Sequence, residues 1–98
     1  MSVKVIVELK AKPGKRDELK SLFHTLMAEA GPALKEMGSL GSTLYEVLDD
    51  PDTLVESADW ESAEACGAVM QDAATAELLA PALELLAMPF KATVVQRS

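Results

Sequence analysis

The chain reads as an α+β domain, a split βαβ sandwich with an antiparallel four-stranded sheet and helices on one face, and three observations predict it. Four short stretches alternate apolar and polar residues or concentrate β-branched ones, as strands do. Between the first and second, and again between the third and fourth, apolar residues recur at three- and four-residue spacing, the period of a helix. The middle two strand stretches are joined by Asp49-Asp50-Pro51-Asp52, residues that nucleate tight turns, which makes them a hairpin. Two strand–helix–strand halves of this kind give the ferredoxin-like sandwich.

The elements follow in order. Val3, Val5, Val7 and Leu9 alternate with Lys4, Ile6, Glu8 and Lys10, a first strand with one apolar and one mixed face. Lys12-Pro13-Gly14-Lys15 breaks it with turn chemistry. Leu19, Leu22, Phe23, Leu26, Met27 and Ala30 then form one stripe on a helix of about four turns. Gly31-Pro32 ends or kinks that helix, or Leu34 and Met37 extend it as far as Gly38. Leu40 to Leu48 is the second strand and Thr53 to Trp60 the third. Ser62 caps a helix running to about Gln71. Asp72 or Thr75 opens the next, from Ala76 to Met88, divided at Pro81 and stopped by Pro89. Phe90 to Gln96 is the last strand.

The whole of 1–98 has the size of a single domain with one core. Hydrophobic residues make up 49%, more than so small a core needs, and the surplus predicts a partner surface. The sheet face without helices carries Ile6, Val55 and Val95 among Lys4, Glu8, Ser57 and Thr93, and a twofold partner is the simplest cover for it. A net charge of −7 argues against nucleic acid or an anionic membrane surface as partner. Cys66 is the only cysteine, so no internal disulfide forms, which fits a reducing, cytoplasmic location. The charged, alternating N-terminus is neither a signal peptide nor a membrane span.

Three segments carry a resemblance. Ala11-Lys12-Pro13-Gly14-Lys15-Arg16-Asp17-Glu18, the run Gly41 to Val47 with Tyr45-Glu46-Val47, and Trp60-Glu61-Ser62-Ala63-Glu64-Ala65 resemble, in order along the chain, the antibiotic biosynthesis monooxygenase family. The resemblance implies a dimeric α+β barrel, formed by packing two open sheet faces, with a cavity between sheet and helices. It also implies cofactor-free oxygenation of a phenol, quinol or anthrone-like aromatic. Ala58 and Val69 stand where that family often has a glutamate and a histidine. The positions that serve haem in a related branch fall near Val7, Val69 and Leu79, none of which can ligate iron, and this argues against haem degradation.

The residues themselves narrow the chemistry. One histidine and one cysteine make no zinc or iron site, and Gly38-Ser39-Leu40-Gly41 lacks the lysine and helix of a phosphate loop. No metal and no cofactor is therefore expected. Glu56, Trp60, Tyr45 and His24 remain as candidate catalytic residues. Leu54, Glu56, Ala58 and Trp60 share one strand face, the more apolar and so the helix-facing one. A carboxyl walled by apolar groups has its charged form disfavoured, which raises its pKa toward that of a useful base. Glu56 would take the substrate proton and Trp60 would wall a dry pocket; the alternatives are a solvated Glu56 and a Trp60 that is only core. Tyr45 faces either the partner or the cavity, and His24 flanks the helical stripe, at the surface or beside the site. Three functions compete: a cofactor-independent monooxygenase, a dimeric module that binds a hydrophobic or aromatic small molecule, and an isomerase or cyclase on the same scaffold.

Overall fold

The computed structural model describes residues 2–98, in the order β1 (Val3–Lys10), α1 (Arg16–Glu36), β2 (Ser39–Glu46), β3 (Thr53–Trp60), α2 (Ala63–Met70), α3 (Ala73–Glu84) and β4 (Lys91–Val95). The strands form an antiparallel sheet in the order β2-β3-β1-β4, the ferredoxin-like arrangement, with all three helices against one face. Among the described residues no helix is long and apolar enough to cross a membrane.

Register decides which residues meet. Val3 lies opposite Trp60, Val5 opposite Ala58, Val7 opposite Glu56 and Leu9 opposite Leu54, so the apolar alternation of β1 and β3 faces the helices together. The other parity pairs Lys4 with Asp59, Ile6 with Ser57 and Glu8 with Val55, while β4 adds Val95, Thr93 and Lys91 to the same outer face. That is the mixed composition expected of the uncovered side.

The core forms in two clusters. Val3, Val5, Val7, Ala58, Trp60, Cys66 and Val69 pack at the α2 end of the sheet, and Ala11, Leu19, Leu54 and Leu86 at the end near the β2–β3 turn. Leu19 and Leu54 are fully buried, each such side chain contributing ~1.5–3 kcal/mol. Along β3 the two clusters are separated by one inward position, Glu56.

The β2–β3 turn is built around Asp50. Its carboxylate accepts from Thr53 Oγ1 at 2.7 Å and from the Asp52 N–H at 3.0 Å, with Lys10 Nζ at 3.4 Å. The Thr53 hydroxyl first, then the Asp52 amide, hold its carboxyl below the usual range. Arg16 Nη1 donates to the carbonyls of Val47 and Asp50, tying the start of α1 to the hairpin.

Several boundaries differ from the sequence expectation, among them those of β2, which spans Ser39–Glu46 rather than Leu40 to Leu48. The first helix runs unbroken through Pro32 to Glu36, the longer of the two expected extents; the carbonyl that Pro32 leaves without a helical partner belongs to Ala28, which is exposed. The third helix begins at Ala73, with Asp72 Oδ2 capping the Thr75 N–H at 3.0 Å, and passes Pro81 without a division. It ends at Glu84 rather than Met88, because the chain beyond it pairs with the end of β1: Leu86 bridges Ala11, and the Ala87 N–H donates to the Lys10 carbonyl at 2.8 Å. The last strand is correspondingly shorter, Lys91–Val95. The expected Ser62 cap is in place, its Oγ accepting from the Ala65 N–H at 3.1 Å. Gly38, between α1 and β2, has φ 110°, and a Cβ there would stand 2.8 Å from Ala65 Cβ, so both conformation and space demand glycine.

Candidate functional site

The gap between the two core clusters opens into a cavity of about 420 Å³ between sheet and helices, within the range of small-molecule sites. Val5 and Val7 of β1 and Ala58 and Trp60 of β3 form its floor, Leu26 of α1 and Leu79 of α3 its roof. The lining is almost wholly apolar. Its polar side chains among the described residues are Ser39, Ser42, Glu56, Thr75 and the Trp60 and Cys66 heteroatoms, and it contains no lysine, arginine or histidine.

Glu56 is placed there by strand parity, between Val7 on β1 and Leu44 on β2. No hydrogen bond or ion pair to its carboxylate forms among the described residues. Burial alone therefore acts on it, and pushes its pKa up to about 7. At neutral pH such a carboxyl divides between its acid and base forms, the condition in which one group can accept a proton and later return it.

Trp60 is buried at the end of β3 and contributes both to the core and to the cavity wall. Cys66, on α2, also faces the cavity, but burial pushes its thiol up, which keeps it protonated and a poor nucleophile.

The other two candidates lie apart from this pair. Tyr45 is opposite Val55 on the outer face of the sheet and 54% exposed, so it does not line the cavity. His24 is exposed on α1, its ring edge-on to Phe23 with centroids 6.2 Å apart; Phe23 lines the cavity and His24 does not. The structure thus brings Glu56 and Trp60 together and leaves Tyr45 and His24 outside.

Ser42 was not anticipated. It sits on the inner face of β2 opposite Ala58, and its Oγ lies 3.6 Å from Met27 Sδ across the cavity edge. The signal for it was the parity of β2: if Tyr45 points outward, Ser42 and Leu44 point inward. Thr75 also reaches the lining, but its hydroxyl is committed to Asp72 at 3.0 Å. No group of three or more His, Cys, Asp or Glu side chains converges on a metal-binding point among the described residues.

Fold and cavity together define a ferredoxin-like domain built around one apolar, small-molecule-sized chamber. The chain belongs to the antibiotic biosynthesis monooxygenase family, whose sequence profile matches residues 2–80. No curated protein matches it by sequence. Among solved structures, an antibiotic biosynthesis monooxygenase-like protein from Bordetella bronchiseptica is similar, with a TM-score of 0.83 at 20% identity, over 99% of this chain and 97% of that one. Rv0793 from Mycobacterium tuberculosis is 26% identical with a TM-score of 0.79, over 100% of this chain and 96% of that one. SnoaB from Streptomyces nogalater, described as a cofactor-independent oxygenase, shares the fold at 15% identity with a TM-score of 0.78, over 98% of this chain and 92% of that one.

Proposed function

We propose that this chain is a cofactor-independent monooxygenase, an oxidoreductase that binds a phenol, quinol or anthrone-like aromatic in the cavity and works in the cytoplasm as a homodimer through its outer sheet face. The single observation that carries the reading is Glu56, a carboxyl without a charged partner in an apolar chamber. Family membership supports it, as does the likeness in fold to an oxygenase described as cofactor-independent.

Glu56, ionised, takes a proton from the activated carbon of the bound ring system. The resulting carbanion gives its electrons to dioxygen, and a carbon–oxygen bond forms. Protonation of the peroxide and loss of water leave a carbonyl, so a CH₂ group and O₂ become C=O and H₂O. Glu56 returns its proton in the second half and ends as it began. Trp60 walls the chamber and limits water around the carbanion. Because the base form is required, turnover rises with pH through about 7.

The test is Glu56→Gln with dithranol as the anthrone substrate. The amide keeps the shape and removes the proton acceptor, so turnover falls by ~10²–10⁴ while affinity changes little. Turnover at the parental rate would remove Glu56 from the mechanism. A second reading, a dimeric binding module without catalysis, is favoured by one observation: Tyr45 and His24 do not reach the cavity, which leaves Glu56 without a second acid–base group beyond the protonated Cys66. A parent protein that binds dithranol and turns over none of a panel of phenols, quinols and anthrones would establish that reading instead.

A further inference from the structure

The chamber continues past its edge. Met27, Leu34, Ser39 and Ser42 line it and also line a second cleft, between the C-terminal half of α1 and the start of β2. The sequence opens this gap locally. Leu40 is the extra residue where the β2–β3 register shifts between Ser39 and Gly41, and Gly41 follows with φ 116°, so β2 bends at its start. Across the gap Gly31 presents no side chain, and a Cβ there would meet nothing within 4 Å. Met27 Sδ and Ser42 Oγ, 3.6 Å apart, mark the boundary between the two compartments. An unbranched thioether shifts rotamer at little cost, so this boundary is a yielding one.

The two compartments differ in chemistry. The two compartments share Ser39 and Ser42; the inner chamber has a carboxyl and no cation, whereas the outer cleft is lined by Lys35 and has no carboxyl among its lining residues. Lys35 stands in the last turn of α1, where a cation complements the helix carbonyls, and it enters none of the ion pairs among the described residues. Hydrogen-bond donors with one positive charge select an acceptor group.

We propose that the α1–β2 cleft is the second subsite of an elongated binding site. The apolar body of the ligand lies in the chamber, and a short tail ending in a carbonyl or carboxylate passes between Met27 and Ser42 toward Lys35. Gly31 sets the width of the outer subsite and Lys35 its preference. The inference rests on the chamber being the ligand site, as proposed above, and not on turnover.

Trp60, the only tryptophan, lies in the chamber wall and reports binding by fluorescence quenching. Three probes separate the subsites: naphthol, naphthyloxyhexanoate and hexyloxynaphthalene. Gly31→Leu fills the cleft from a helical position, and because Pro32 follows and crowds a Cβ on the residue before it, Gly31→Ala is the second variant if the leucine form does not fold. Gly31→Leu weakens both tailed probes about fivefold or more and leaves naphthol within about twofold. Lys35→Gln, at the surface, weakens only the hexanoate, by about threefold at low salt and less at high salt. Equal effects of Gly31→Leu on naphthol and on the tailed probes, or no effect of Lys35→Gln on the hexanoate, would overturn the second subsite. Failure of all three probes to quench Trp60 would overturn it together with the chamber. Tail discrimination in a protein that oxidises nothing supports the subsite while ending the enzyme reading.

Discussion

The two faces of one sheet treat charge in opposite ways. On the outer face Lys4 and Asp59, cross-strand partners on β1 and β3, pair at 3.6 Å with both side chains half in solvent. On the inner face Glu56, three residues earlier on β3 than Asp59, stands between Val7 and Leu44 with no cation in its chamber. In the single chain the outer pair is ordinary surface electrostatics, screened and worth ~0–1 kcal/mol. The inner carboxyl has neither water enough nor a partner, and its proton is held to about pH 7. The lesson is that alternation along a strand decides what a carboxyl can do, since residues close in sequence face different solvents.

The largest expected contrast is in packing. Leu54→Ala, on the inner face, lowers stability by ~2–5 kcal/mol, whereas Ser57→Ala, outward on the same strand, changes it by no more than ~0.5 kcal/mol. Urea denaturation checks both, and similar losses for the two variants would break the comparison.

Next comes the linkage of Glu56 to pH. Its folded pKa is raised from 4.5 to about 7, so the folded state binds the proton more tightly than the unfolded chain. Stability attributable to this group is therefore full below about pH 4.5, falls as pH rises toward 7, and is level above it, a total of about 3 kcal/mol. Glu56→Gln removes that decline, making the variant the more stable form at pH 8 and not at pH 4. Unfolding curves across this range that superimpose for parent and variant would count against the buried carboxyl.

Smaller effects belong to the outer face. Asp59→Asn lowers stability by no more than ~1 kcal/mol, and the loss shrinks in high salt. Tyr45→Phe and His24→Gln leave turnover per site within about twofold, since neither side chain reaches the chamber. A tenfold loss in either would bring that residue back into the mechanism.

Much of this contrast was legible in the chain. The alternation Val3, Val5, Val7 and the parity of Leu54, Glu56, Ala58 and Trp60 locate both faces of the two central strands, because a half-buried strand writes its burial at every second residue. The β2 strand writes no such pattern: it is an edge strand, exposed along most of both faces, and its register shifts at Leu40, so Tyr45 could not be assigned a side from sequence. The end of α3 was hidden for another reason. It is set by pairing of Leu86 with Ala11, distant in the chain, and local helix signals carry no trace of it. The chamber depends on the core dividing into two clusters around Glu56, a property of how the helices sit on the sheet.

The central claim is that Glu56 is a carboxyl desolvated without a partner, and a titration of its side-chain carboxyl carbon by NMR tests it most directly. The protein is labelled at glutamate, with Glu56→Gln identifying the resonance. The predicted midpoint is about 7. A midpoint near the ordinary 4.5 would place Glu56 in water and contradict the account.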